Sequence, residues 1–133
     1  MLDRLDIQNL ATVSRLALEC RGGLNVLTGE TGAGKSIILG ALQILLGERA
    51  EKTIIRRGET CCEITATFQI SPTFDLPRQN IDTLLTGAGL EPAEEGVLIL
   101  RRLVTQSGTR TYVNATPVPL QLMRQLGELL VDI

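Results

Sequence analysis

The sequence predicts an α/β fold in which antiparallel strands flank a glycine-rich loop, and three observations support it. A short apolar run with β-branched residues, residues 24–28, comes directly before the loop and has the character of a buried strand. Residues 37–46, directly after the loop, are apolar on nearly all sides, as in a buried helix. Segments of alternating polarity lie on both sides of this unit, which is typical of strands with one face in water.

The loop itself, residues 29–36, reads GETGAGKS and fits the phosphate-loop (Walker A) pattern GxxxxGK(S/T) at every fixed position. Glycine lets the backbone curl so that a row of N–H groups faces an anion. Lys35 suits the β- and γ-phosphate oxygens, the Ser36 hydroxyl suits Mg²⁺, and the following helix directs its dipole at the phosphates. A turn that merely joins two core elements is the alternative, but the strand–loop–helix context argues against it. The predicted nucleotide contacts are Gly29, Glu30, Thr31, Gly32, Ala33, Gly34, Lys35, Ser36 and Ile37, with Ser36 as the metal ligand.

Composition indicates one globular domain, because 133 residues with 44% hydrophobic content can bury a real core. The longest apolar run is too short to span a membrane, and the N-terminus has no apolar signal core. Three cysteines and no histidine give no zinc spacing, and the adjacent Cys61 and Cys62 should face opposite sides of a strand. We therefore expect a cytoplasmic protein with reduced cysteines and no membrane association.

The charge balance argues against a self-sufficient nucleic-acid binder. The net charge is −2, and two phenylalanines and one tyrosine are too few for a base-stacking surface. Any DNA contact would have to be local, through the pair Arg56 and Arg57 or the pair Arg101 and Arg102. A solvated strand end or loop is the favoured interpretation of both pairs.

The order of elements indicates the ATP-binding head of the ABC class, a P-loop NTPase with an antiparallel β-subdomain. Small GTPases and nucleotide kinases instead alternate strand and helix from the start. The loop helix should run from about Lys35 to a C-cap at Gly47. The other predicted elements are an antiparallel pair over 2–9 and 15–20, a short strand at 53–55, a one-sided strand at 62–70, a helix at 80–86, a strand at 97–104, a hairpin into 110–114, a break in pairing at 116–119, a helix over about 119–128, and a final strand.

The hydrolytic half of an ATPase is not evident. Phosphoryl transfer also needs a second carboxylate for the Mg²⁺ shell and a group that positions water. Asp132 is the only acid that follows an apolar run, but Ile133 stands where an acidic partner would strengthen it. Neither an LSGG-type signature nor a histidine is present. We assign no catalytic residue.

Four segments resemble the start of the RecN family, bacterial double-strand-break repair ATPases related to the SMC (structural maintenance of chromosomes) proteins. They are LDIQNL at 5–10, GLNVLTGETGAGKS at 23–36, LLGERA at 45–50 and LGELLVDI at 126–133. Leu10 stands where relatives often carry phenylalanine, and Glu48 where a second glycine is usual. Neither position touches the phosphate contacts.

The resemblance implies that residues 1–133 form the N-terminal lobe of an ABC-type head and are a fragment of a longer chain. In the family a long coiled coil and a C-terminal lobe follow, and the C-terminal lobe brings the signature motif and the missing carboxylates. Mg²⁺ and ATP would be bound between two heads of a homodimer that acts on DNA and associates with the nucleoid. The lobe alone should bind ATP without hydrolysing it and should bind DNA weakly.

Two other interpretations stay open. Another SMC-like head or a RecF-type head would carry the same loop, and a RecF-type head lacks the long coil. A stand-alone nucleotide-binding regulator without catalysis would also fit the length and the missing acid. The sequence downstream of Ile133 would distinguish them.

Overall fold

The computed structural model describes residues 2–19, 32–70, 76–92 and 96–131. Within these ranges six strands form one antiparallel sheet in the order β2-β1-β3-β4-β5-β6. The strands are β1 (Leu2–Leu10), β2 (Val13–Glu19), β3 (Cys61–Gln69), β4 (Val97–Thr105), β5 (Gly108–Val113) and β6 (Thr116–Val118). The helices are α1 (Gly32–Leu45), α2 (Leu76–Gly87) and α3 (Leu120–Val131), and none of the helices described is long and apolar enough to cross a membrane.

The centre of the sheet is β3, whose predicted one-sided pattern is confirmed. Its inward residues Cys62, Ile64, Ala66 and Phe68 are buried, and the residues between them are half-buried. Neighbouring strands place apolar side chains on the same face, because antiparallel register pairs inward residues with inward residues. α1 contacts this sheet at β3 and β4, α3 contacts it at β5, and α2 packs against α3. The α/β class predicted from the sequence is therefore confirmed.

The first hairpin also agrees with the prediction. β1 and β2 pair antiparallel through a tight turn after Leu10, and Ala11 in this turn has a positive φ of 50°. The Ala11 N–H donates to the Ile54 carbonyl at 2.7 Å, which ties the turn to a later segment.

That later segment corrects the predicted strand at 53–55. Residues Lys52–Ile54 form one turn of 3-10 helix, and only Ile55 makes an isolated bridge, to Leu10. The Ile55 N–H donates to the Lys52 carbonyl, so residues 52–55 form a local turn and not an extended strand. A longer pairing is prevented because β1 ends at Leu10 and turns away.

A short edge strand corrects the predicted break in pairing at 116–119. Asn114 and Ala115 have φ values of 47° and 71°, as a two-residue type I′ hairpin turn requires, and β6 pairs with β5 beyond them. Pro117 is tolerated because β6 lies at the sheet edge. The Asn114 side-chain oxygen accepts a hydrogen bond from the Ile99 N–H at 2.8 Å, which holds the turn against β4.

The helices are longer than predicted. α1 begins three residues before Lys35, and α2 begins before residue 80. The predicted final strand is wrong as far as residue 131, because α3 continues to Val131. The helical spacing of buried apolar residues extends through Leu126 and Leu130, which explains the extra turn.

Two helices end in the same capping arrangement, a Schellman motif with glycine at its left-handed position. At the end of α1 the Gly47 N–H donates to Ile44 and the Glu48 N–H donates to Gln43, and the φ of Gly47 is 109°. At the end of α2 the corresponding glycine is Gly89, with a φ of 81°. The predicted C-cap at Gly47 is confirmed.

The two glycines differ in their surroundings. A Cβ built on Gly47 would lie 2.1 Å from the Cγ of Arg124 on α3, whereas a Cβ on Gly89 would meet nothing within 4 Å. α3 approaches α1 closely at a second glycine as well, because a Cβ on Gly127 would lie 2.9 Å from the Cβ of Leu46. The end of α1 is therefore in direct contact with α3.

This difference predicts unequal costs for the same substitution. Gly89→Ala should lower the free energy of unfolding by about 1 kcal/mol, the cost of a left-handed backbone in a residue with a Cβ. Gly47→Ala should lower it by about 3 kcal/mol, because the new methyl group also displaces Arg124. Urea denaturation of both variants measures the two costs. Equal losses would show that the contact with α3 does not constrain Gly47.

Candidate nucleotide-binding site

The second half of the glycine-rich loop forms the first turn of α1. The backbone of residues 32–36 is helical, and Ile37 follows in the same helix as a half-buried residue. This stretch contains five of the predicted contacts: Gly32, Ala33, Gly34, Lys35 and Ser36. The remaining contacts Gly29, Glu30 and Thr31, like the predicted strand at 24–28, lie outside the described residues.

The start of α1 has the electrostatic character that a phosphate group requires. The first four N–H groups of an α-helix have no partner within the helix, and the helix dipole makes this end positive. The first turn of α1 contains no acidic residue, so no carboxylate of that turn competes for these N–H groups. The positive end of a helix is a general binding place for phosphate groups, and the motif predicts that Lys35 would add a positive charge there and Ser36 a metal-ligating hydroxyl.

The body of α1 is seated on the sheet. Ile38, Ala41 and Leu45 recur at helical spacing and are buried against β3 and β4. Leu39, on another side of the helix, is 44% exposed. The phosphate-loop helix is therefore held along one side by apolar packing on the sheet.

Arg102 binds the C-terminal end of α1, at the opposite end from the loop. Its side chain is only 1% exposed, and its Nη1 donates to the carbonyls of both Ile44 and Glu48. Its Nε donates to the Thr109 hydroxyl at 3.0 Å. Burial lowers the pKa of the Arg102 guanidinium, and the positive charge of Arg124 lowers it further. The contact nevertheless suits a cation, since the C-terminal end of a helix carries partial negative charge.

Arg124 on α3 completes the same contact. Its Nε donates to the Gly47 carbonyl at 2.7 Å. One carbonyl in the last turn of α1, that of Ile44, and two in the turn that follows, those of Gly47 and Glu48, thus accept hydrogen bonds from two arginines on different elements. No local pattern in the sequence indicates this arrangement. The adjacent arginines of β4 were visible, but only the strand register shows that Arg102 points inward.

The structure separates the arginine pairs that were considered for DNA contact. The solvated interpretation is wrong for Arg102, which is buried. Arg101 points to the open face, where its Nε lies 2.6 Å from a Glu63 carboxylate oxygen and its guanidinium lies 5.0 Å from the Tyr112 ring centre. The Nη1 of Arg56 lies 3.9 Å from the Oε1 of Glu59, and the Arg57 residue is exposed.

The remaining predicted chemistry is limited. Cys61 is half-buried and Cys62 fully buried, so the two adjacent thiols face opposite sides of β3 as predicted. Burial raises the pKa of the Cys62 thiol to about 11, and this thiol is therefore protonated at neutral pH. Asp132, the one acid considered for the Mg²⁺ shell, lies outside the described residues.

The sequence matches a protein family. A family model described as an AAA domain covers residues 4–86, which is more than half of the chain. AAA domains are ATPase domains, and membership therefore implies nucleotide binding. The matched residues include the whole glycine-rich loop.

Curated relatives match the chain over its whole length. The DNA repair protein RecN of Vibrio cholerae is 41% identical over 137 residues, and that of Haemophilus influenzae is 36% identical over 138 residues. RecN of Bacillus subtilis is 33% identical over 133 residues. Each alignment covers 100% of this chain but only 22–23% of the relative. The chain thus spans less than a quarter of the length of the curated relatives that it matches.

Solved structures with low sequence identity share the fold. A structure described under ATP-driven dimerization and DNA stimulated activation of SMC ATPases has a TM-score of 0.67 at 17% identity, covering 98% of this chain and 79% of that one. The recombination mediator protein RecF, in a structure described as RecF-ATPrS, has a TM-score of 0.61 at 12% identity, covering 92% of this chain and 29% of that one. The chain therefore belongs to the AAA domain family of ATPases and is a RecN-like segment with the fold of an SMC-type ATPase head.

Proposed function

We propose that this chain is the ATP-binding lobe of a RecN-like ATPase head that acts in DNA double-strand-break repair and recombination. The observation that carries the proposal is the complete GETGAGKS motif, whose second half forms an acid-free first turn of a helix seated on the sheet. The amides of Gly32 and Gly34 bind phosphate oxygens, Lys35 binds the β- and γ-phosphates, and Ser36 ligates Mg²⁺. Gly29, Glu30, Thr31, Ala33 and Ile37 complete the loop.

ATP is the proposed nucleotide. The chain has no NKxD-type guanine motif. Similarity to RecN, at 33–41% identity over the whole chain, favours a RecN-like head over the SMC and RecF proteins, which share the fold at only 12–18% identity. A stand-alone regulator is the other candidate, and the hydrolysis experiment below separates it.

Hydrolysis is proposed to require a second lobe and a second head. An SMC relative of the same fold is described as dimerising under the control of ATP. The curated relatives are more than four times as long as this chain, which leaves room for a coiled coil and a C-terminal lobe. That lobe would supply the carboxylates and the signature loop, and it would cover the exposed Leu39 side chain of α1. The complete protein would act in the cytoplasm at the nucleoid.

The first test is nucleotide affinity. Lys35→Ala should weaken Mg-ATP binding by about 1.5–3 kcal/mol, or about 10- to 150-fold, because it removes a charge-assisted contact to the phosphates. Lys52→Ala is the matched control, since Lys52 is the only other lysine and is exposed. Titration calorimetry on the three proteins gives the affinities. The proposal fails if Lys35→Ala and Lys52→Ala bind Mg-ATP equally well.

The second test is turnover. Residues 1–133 should hydrolyse ATP no faster than their Lys35→Ala variant, because a site that binds ground state and transition state alike does not raise the chemical rate. The same residues joined to the proposed C-terminal lobe should show hydrolysis that depends on Lys35. Phosphate release measures both. Lys35-dependent turnover by residues 1–133 alone would contradict the proposal that hydrolysis needs a second lobe, and Asp132 and Glu30 would be the first acids to replace. If adding the C-terminal lobe does not raise turnover, the stand-alone regulator is the better explanation.

The third test is DNA binding by the lobe alone. We expect a Kd above about 10⁻⁶ M at physiological salt, since the net charge is −2 and non-specific binding depends on phosphate neutralisation. Combined replacement of Arg56 and Arg57 by alanine should lower the residual affinity, whereas Arg102→Lys should not. Fluorescence anisotropy at two salt concentrations measures it. A nanomolar complex that persists at high salt would contradict this expectation.

A further inference from the structure

Two arginines on different elements converge on one end of the phosphate-loop helix. Arg102 comes from β4 and binds the carbonyls of Ile44 and Glu48, and Arg124 comes from α3 and binds the carbonyl of Gly47. The Ile44 carbonyl also accepts the Gly47 N–H of the capping turn, whereas Gly47 and Glu48 lie just beyond the helix. The two arginines therefore add side-chain hydrogen bonds to the turn that ends α1. The end of α1 is held by the sheet on one side and by α3 on the other.

Holding a helix end with a buried cation costs desolvation free energy. Arg102 is 1% exposed, and none of the ion pairs found among the described residues includes it. Removing a charge from water is unfavourable unless its hydrogen bonds are well satisfied, and an apolar side chain often fills such a space at no loss of stability. What the guanidinium provides, and an apolar side chain cannot, is a fixed position and direction for the helix end.

The contact with α3 is also fitted closely. Gly47 leaves space for the Arg124 side chain, and Gly127 lets α3 reach Leu46, as the short distances to an added Cβ show at both positions. Any displacement of α3 would therefore reach the end of α1 through a direct contact. Gly47 and Gly127 have no side chain whose rearrangement could absorb such a displacement.

We propose that Arg102 and Arg124 are positioning residues for the nucleotide site and that Arg124 couples α3 to nucleotide binding. The inference rests on the proposed function of the loop. α1 has 14 residues and is about 20 Å long, so a fixed C-terminal end also fixes the direction of the N–H groups at its start. Misplacement of a positioned group by about 1 Å can cost a factor of 100 in an enzyme, and phosphate contacts depend on the same accuracy.

The coupling must act in both directions. If the position of α3 changes nucleotide affinity, then bound nucleotide must stabilise the contact between α1 and α3 by the same factor. Nucleotide binding at one end of α1 should therefore be detectable at the other end. A purely structural role for the arginines would not produce this second effect.

Arg124→Ala is the decisive variant, because Arg124 is an exposed residue that packs against Gly47 and binds its carbonyl, and its loss leaves the core intact. In the full-length protein, this substitution should weaken Mg-ATP binding about 5- to 10-fold, as measured by titration calorimetry. Arg124→Lys should restore part of the affinity. Gln125→Ala on the same helix and Arg110→Ala, an exposed residue of β5, are matched controls and should bind as the parent does, which excludes helix and net-charge effects.

Hydrogen exchange supplies the second measurement. Mg-ATP should slow exchange of the Gly47 and Glu48 amides in the parent, less so in Arg124→Ala, and not in Lys35→Ala. If Lys35→Ala loses binding while Arg124→Ala binds within twofold of the parent and shows the parent's exchange, the positioning role is overturned and the proposed function stands. If Lys35→Ala binds as the parent does, the proposed function itself fails.

Discussion

The guanidinium of Arg102 connects the parts of this structure on which the candidate site depends. It belongs to β4, a central strand, and it binds the end of the helix whose other end carries the phosphate loop. The surrounding inward face is mostly apolar, and the partners that Arg102 finds in the described part of the chain are carbonyls at the helix end and the Thr109 hydroxyl. In this low-dielectric setting each hydrogen bond is strong, and its direction is well defined.

The two faces of the sheet explain why neighbouring arginines differ so much. Successive residues of a strand point to opposite sides, and a shift of one residue would exchange them. Arg101 therefore meets water, Glu63 and Tyr112, where an ion pair contributes little, whereas Arg102 meets the core. The adjacent arginines Arg101 and Arg102 thus have different roles, one on the open face and one in the core. A single role assigned to both is wrong for at least one of them.

Much of the fold was predictable because its signals are local. The polarity pattern of β3 predicts a strand with one buried face, and the glycine after α1 predicts the end of that helix; the structure confirms both. The errors came from signals that depend on neighbours. The Asn114–Ala115 turn lacks the glycine that usually marks a type I′ turn, and residues 53–55 have strand composition without a free strand to pair with. The phosphate motif was legible in the sequence, but its support by Arg102 and Arg124 was not, because strand register and helix contact create it.

Binding and chemistry are separable in a phosphate-loop site, and the site proposed for this chain contains the elements of binding. In the proposed site, helix N–H groups, a lysine and a serine would meet the phosphates of the ground state, and the anchored far end of α1 would fix the direction of the helix that carries them. Acceleration of hydrolysis requires interactions that strengthen only in the transition state. When those groups come from a second lobe, turnover depends on how the lobes meet, and a helix such as α3, in contact with the anchored end of α1, is a direct route by which that meeting can alter nucleotide affinity.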